Sequence, residues 1–357
     1  MKCRCGFCVS KSARRLEGSK GSLQVCRFDF DKSFFCDEER EGFIVSEAMK
    51  HYWAASLHTV EIFARLCKKH GLKWWANWGT LLGANRHRGF VPWDDDIDLV
   101  MLRADYEIFL SVAEDELPEG FAIDTYDNPW HKYSGLTVIS NHHETIFDEG
   151  MLKEYYWCPF PVGFDLYVYD SCPDTESERL KWRADGIKYL LAMERIRKYG
   201  RDCRESRQAL ESAGMDKLAM GLNDTELMTE LGRRVHQVAG RYSDVRSERV
   251  VEYTFYIRDN YEPFLHREWF DEVTEVPFET GSIMVPKAED EVLRCLYGKD
   301  YSTPRRGRAG HNYPLYRRDI SSMIDFLEKG GMKLSDLPEE LAYIRREADN
   351  LGMDYRR

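Results

Sequence analysis

The sequence predicts an α/β fold in which a mixed sheet is flanked by helices, and three observations carry that expectation. Apolar residues recur at helical spacing from Ser46 onward, short apolar strands then alternate with helical stretches as far as about residue 173, and residues 174–250 form a run rich in Glu, Arg, Leu and Ala.

Each element has a local reason. Met49, Trp53, Leu57, Val60, Ala64 and Cys67 are spaced by fours and threes, which puts them on one face of a helix, with Gly71 as the left-handed residue that ends it. Leu72 to Trp78 reads as a buried aromatic strand running into a glycine-rich turn, Gly79 to Gly83. A second strand is expected over Ile97 to Leu102 and a helix over Ala104 to Ala113. Further strands are expected at Phe121 to Asp124, Leu136 to Ser140, Thr145 to Phe147, Gly163 to Val168 and Ile283 to Val285. Two closing helices, Asp319 to Glu328 and Leu337 to Leu351, follow, the second opened by Ser335, Asp336 and Pro338. The segments are a mobile N-terminal tail over 1–42, a core over 43–173, a helical region over 174–260, a return to the core unit over 261–318 and C-terminal helices over 319–357.

Composition narrows the function classes. The 51 Lys and Arg against 62 Asp and Glu give a net charge of −11, which argues against a general nucleic-acid or anionic-membrane binder. Phosphate must then be met locally. No stretch has the roughly 20 apolar residues of a membrane span, Met1 to Arg15 lacks an apolar run, and a cytoplasmic location is expected. The ten cysteines are mostly scattered and suit reduced thiols; Cys3, Cys5 and Cys8 cluster, but no second ligand pair follows at zinc-site spacing.

Chemistry concentrates between Gly79 and Asp98. Asp94, Asp95, Asp96 and Asp98 repel one another unless a cation sits among them, and strand alternation would put Asp94, Asp96 and Asp98 on one face. Hard oxygen ligands suit Mg²⁺ or Mn²⁺. Upstream, Gly79 and Gly83 can admit a phosphate to the backbone, the Thr80 hydroxyl can donate to it, and Arg86 or Arg88, beside His87, can neutralise it. Neither a GK[ST] loop nor a GxGxxG fingerprint is present.

The run Gly79-Thr80-Leu81-Leu82-Gly83-Ala84, continued by Arg86-His87-Arg88-Gly89-Phe90-Val91-Pro92-Trp93-Asp94-Asp95-Asp96-Ile97-Asp98, resembles the signature of the LicD/fukutin family of phosphotransferases. The similarity continues at Gly163 to Asp170, where Tyr167 and Val168 depart from the family pattern, and at Tyr297 to Tyr301. It implies a nucleotidyltransferase-type fold with Gly79, Thr80, Gly83, Arg86, His87 and Arg88 at the nucleotide phosphates. It also implies Asp96 and Asp98 as paired metal ligands, Asp94 as an additional one and a third acid from a later strand. Asp165 is assigned that place, with Asp170 and Glu279 as competitors.

The implied reaction transfers a phospho-alcohol, such as phosphocholine, from a CDP-activated alcohol to a glycan or glycolipid hydroxyl and releases CMP. Transfer of phosphoribitol or phosphoglycerol, true nucleotidyl transfer, and a non-catalytic nucleotide- or glycan-binding protein are the alternatives. Arg305, Arg306, Arg308, Arg317 and Arg318 around His311 offer either a seat for a phosphorylated ligand or a solvated basic loop.

Overall fold

The computed structural model describes residues 26–126, 136–245, 247–259, 263–305 and 317–353. The cysteine cluster at Cys3, Cys5 and Cys8, and Arg306, Arg308 and His311, lie outside the described residues, as do the side chains of Arg317 and Arg318.

A short hairpin comes first, β1 (Glu38–Arg40) and β2 (Phe43–Val45), followed by α1 (Glu47–His70). Ser46 caps α1 by accepting from the Met49 N–H at 3.3 Å, and Gly71 closes it at φ 67°. Next come β3 (Trp75–Ala76), α2 (Trp78–His87), β4 (Asp98–Leu102), α3 (Arg103–Glu116), β5 (Ala122–Asp124), β6 (Thr137–Ser140), α4 (Glu149–Glu154) and β7 (Gly163–Ser171). The helical region holds α5 (Glu176–Tyr199), α6 (Arg204–Ser212), α7 (Asp216–Ala219) and α8 (Asp224–Ala239). The chain then returns through β8 (Arg249–Glu252), α9 (Tyr253–Asp259) and β9 (Leu265–His266) to a hairpin, β10 (Val273–Phe278) and β11 (Gly281–Pro286). Helices α10 (Glu289–Tyr297), α11 (Arg317–Lys329) and α12 (Ala342–Asn350) complete it.

The main sheet is mixed, in the order β3-β4-β7-β6-β5, with β8 joined to the far half of β7 and β9 to β8. Strands β4 and β7 run parallel, with Asp98 opposite Asp165 and Leu102 opposite Tyr169. Alternation sends Phe164 and Leu166 toward α1 and α3, where Phe63 meets Phe164 at 4.9 Å and Phe109 at 5.2 Å. The other face of β4 and β7 carries Asp98, Asp165, Tyr167 and Tyr169 toward Trp78, Phe255 and Phe270. Both faces are therefore packed, and the second also carries the Asp98 and Asp165 carboxylates at one end.

A second apolar cluster, around Trp182, Leu231 and Tyr253, gathers residues 172–257. A third sets Ile320, Met323, Leu341 and Ile344 against Ala48 and Ala55 on the outer side of α1. Among the described residues no helix is long and apolar enough to cross a membrane.

Several boundaries move from expectation. The strand expected over Leu72 to Trp78 shrinks to Trp75–Ala76, because Trp78 already begins α2, and the expected turn Gly79 to Gly83 lies inside that helix. Thr145 to Phe147 forms no strand; Ile146 makes a single backbone bond to the Pro159 carbonyl. Ser335 and Asp336 fall in a 3₁₀ turn and Pro338 precedes a second one, both ahead of the last helix, which starts at Ala342. Residues 26–42, expected to belong to a mobile tail, are packed: Cys26 and Phe28 are buried, and Arg40 forms a bidentate pair with Glu279 at 2.6 and 2.8 Å. Their partners lie far along the chain, so no periodic apolar face announces them.

Candidate active site

Asp98 is the first residue of β4, and both of its backbone groups are tied to the entrance of α2. Its N–H donates to the Thr80 hydroxyl at 2.8 Å, and its carbonyl accepts from the Asn77 N–H at 2.9 Å. The neighbouring strand is fixed at the same level, since the Asp165 N–H donates to the Ile97 carbonyl at 2.9 Å. Two carboxylates in parallel register thus share one face of the sheet.

Their electrostatics are unfavourable. Burial pushes the Asp98 carboxyl well above the usual carboxylate range, and Asp96, Asp165 and Asp94 push it further, while a hydrogen bond from Tyr167 acts the other way. The Tyr167 hydroxyl is itself driven up, by burial first and then by Asp98, Asp165 and Asp96. Among the described residues, Asp94, Asp95 and Asp96 each bring a carboxylate oxygen within 4.8 Å of the others. A set of clustered oxygen donors fits a hard divalent cation, which would relieve a repulsion the fold otherwise retains.

The set is not built as alternation implied. Residues 94–97 precede the strand, so the alternating pattern starts only at Asp98. Asp95, counted in the acidic run but left out of the expected ligand set, is nearly inaccessible and belongs to the cluster. Tyr167 was also missed as a site residue. The signal was available, because a residue two along a strand from Asp165 must share its face.

The glycines have steric explanations. A Cβ at Gly79 would sit 2.2 Å from Asp94 Oδ2, so the bare α-carbon is what admits that carboxylate. At Gly83 a Cβ would lie 2.3 Å from the Gly89 carbonyl, so this glycine serves the packing of α2 on the following loop rather than a ligand. Thr80 is buried and engaged with Asp98, which ties helix to strand in place of the expected exposed phosphate donor.

The basic residues divide. Arg86 lines a cleft of about 310 Å³ together with Gly79, Trp93, Asp94, Tyr297 and Arg305, and it donates to the Tyr301 carbonyl at 3.1 Å. His87 turns instead to Glu41, with Nε2 at 3.3 Å from its carboxylate. Arg88 is exposed and caps α2 in the left-handed region at φ 55°. Neither His87 nor Arg88 lines the cleft. Arg305 reaches it while paired with Asp300 at 2.6 Å.

Both competitors for the third acid are committed elsewhere. Asp170 accepts Arg103 through both oxygens, at 2.7 and 2.9 Å, near the opposite end of β7. Glu279 accepts from Arg40 and from the Phe90 N–H at 3.0 Å.

Comparison with known proteins bears on this segment. Residues 71–161 match the family model described as the LicD/FKTN/FKRP nucleotidyltransferase domain. The chain is 33% identical over 119 residues to the lipopolysaccharide cholinephosphotransferase LicD of Haemophilus influenzae, a stretch covering 33% of this chain and 43% of that protein. An uncharacterized protein of Rickettsia prowazekii is 32% identical over 108 residues, covering 29% of this chain and 40% of its own. One of Rickettsia typhi is 48% identical over 109 residues, covering 30% of each. The chain thus spans less than half the length of each of these relatives. The matched segment carries the acidic run, the α2 glycines and the start of β4, and over that segment the chain is similar to the LicD family.

Proposed function

We propose that this protein transfers a phospho-alcohol, phosphocholine in the first instance, from a CDP-activated alcohol to a hydroxyl of a glycan or glycolipid, releasing CMP. The observation that carries the reading is the pair of buried Asp98 and half-buried Asp165, side by side on adjacent strands next to an acidic run whose Asp94 lines the cleft that Arg86 enters, with Asp98 inside the LicD-like segment. The similar Haemophilus protein is named for cholinephosphate transfer to lipopolysaccharide, which supplies the head group and acceptor class proposed here.

Asp94, Asp96 and Asp98, together with Asp95 of the same cluster and Asp165 beside them, would hold Mg²⁺ or Mn²⁺. When bound, the ion neutralises the donor diphosphate and lowers the cost of charge on the leaving CMP. Arg86, on the cleft wall, contacts a donor phosphate with its guanidinium fork. Asp165 orients the acceptor hydroxyl and takes its proton as the oxygen bonds to the phosphorus bearing the alcohol. The bond from that phosphorus to the bridging oxygen breaks, and CMP leaves with it. No covalent enzyme intermediate is needed, because phosphoryl transfer is carried mainly by positioning and charge stabilisation.

The experiment is mass spectrometry of products from purified protein with Mg²⁺, a panel of CDP-alcohols and glycan acceptors. CMP release with a phospho-alcohol gained by the acceptor is expected. A nucleotide retained on the acceptor, or no turnover of any donor despite binding, sinks the reading.

A further inference from the structure

The loop that carries the acids is held from outside the segment matched by the family model. Glu279 sits in the tight turn between β10 and β11, where Phe278 pairs with Gly281, and it has φ +48°. A first turn residue with positive φ is normally glycine, because a side chain there strains the backbone. A strained glutamate in such a place needs another reason to be there.

The reason is visible in its contacts. Its carboxylate is almost wholly buried and accepts both nitrogens of Arg40 as well as the Phe90 N–H, while its own N–H donates to the Arg88 carbonyl at 2.7 Å. Gly89 leaves room for it, since a Cβ there would lie 2.2 Å from Glu279 Oε1. Phe90 is stacked on Trp53 at 4.3 Å and meets Phe278 at 5.2 Å, and the Arg40 guanidinium lies 5.5 Å from the Trp53 ring. The backbone from Arg88 to Phe90 is thus gripped from two hairpins immediately before the acidic run.

We propose that Arg40 and Glu279 are positioning residues that fix the backbone entering the acidic loop and thereby set where Asp94, Asp95 and Asp96 stand. The metal part of this proposal rests on the function proposed above; the loop part does not. A residue that served only the turn would be replaced without loss by glycine.

The test is Glu279→Gly, which relieves the turn, compared with wild type and with Trp182→Phe, a destabilising change in the separate helical cluster. Amide hydrogen exchange by mass spectrometry reads the loop, and Mn²⁺ titration reads the acids, both well below the melting temperature. In Glu279→Gly, exchange over residues 89–97 should quicken by about tenfold or more while β4 and β7 stay protected. Mn²⁺ affinity should weaken by about tenfold, and Trp182→Phe should change neither. Wild-type exchange over 89–97 in Glu279→Gly overturns the proposal, as does quickened exchange with unaltered Mn²⁺ affinity. If the wild type binds no Mn²⁺, the metal reading falls, and the exchange result alone decides whether the two residues fix the loop.

Discussion

Strands β4 and β7 bury acids at both ends, and the two ends treat them oppositely. At one end Asp98 and Asp165 stand side by side with Asp94 and Asp96 near, and burial first, then these like charges, drive the Asp98 carboxyl upward. At the other, Asp170 is held by both arms of Arg103, which itself opens α3 directly after β4. One end answers a buried charge with its opposite, and the other gathers charges of one sign. Buried acids are costly, so the second arrangement persists only where something other than stability selects it.

Substitution at the open end should have the largest effect. Asp98→Asn should reduce transfer by at least about a thousandfold, a loss of roughly 4 kcal/mol in transition-state stabilisation. The metal-free variant should melt no lower than wild type, because a repulsion has been removed. Mn²⁺ should raise the melting temperature of wild type and not of the variant; equal shifts would rule out the metal assignment.

At the closed end the sign reverses. Arg103→Met leaves Asp170 buried without its partner and should cost about 3–5 kcal/mol in urea unfolding. Adding Asp170→Leu should recover most of that loss. A double variant as unstable as the single one would mean that the pair does not act as a unit.

Arg86 tests whether charge at the open end meets a ligand or only the protein. Calorimetric titration of CDP should show Arg86→Ala weaker by about 2 kcal/mol, with Arg86→Lys between it and wild type. Unchanged affinity with a lowered melting temperature would reduce Arg86 to holding the Tyr301 carbonyl.

The smallest effect concerns Glu252, which faces Tyr169 across the closed end. Burial raises its carboxyl to about 7, Asp170 adds to the rise, and the N–H groups of Phe255 and Thr254 oppose it. The folded state therefore holds a proton that the unfolded state releases near 4.5, so this contribution is full below that pH and is lost as pH rises through 7. Between pH 5 and 8 the melting temperature should fall by about 2–3 °C more in wild type than in Glu252→Gln.

How much the sequence disclosed follows from how far apart the determinants lie. Ser46 and Gly71 bound α1 through contacts within a few residues, and both were readable. Gly79 and Gly83 misled toward a turn, because glycine disfavours helices and the reasons for it here, the Asp94 carboxylate and the Gly89 carbonyl, belong to a later loop. Asp165 was named through a family resemblance; its register against Asp98 exists only once two distant strands pair. Asp95 was hidden by applying strand alternation to residues that are not yet strand. The packed stretch from Cys26 to Arg40 was invisible for the same reason as Glu279, since each is explained by the other side of the molecule.

The excursion through α5 to α8 leaves the sheet after β7 and comes back at β8, and the two crossing points touch: the Cys172 N–H donates to the Arg249 carbonyl at 3.0 Å. Its apolar residues close chiefly on one another and on α9. A loop whose ends meet can be lengthened, shortened or exchanged without moving the strands on either side of it, as a long insertion adds little closure entropy. The architecture thereby separates what must stay constant from what is free to diversify. Descendants of such a chain could trade this helical annex for another while keeping the frame that aligns Asp98 with Asp165.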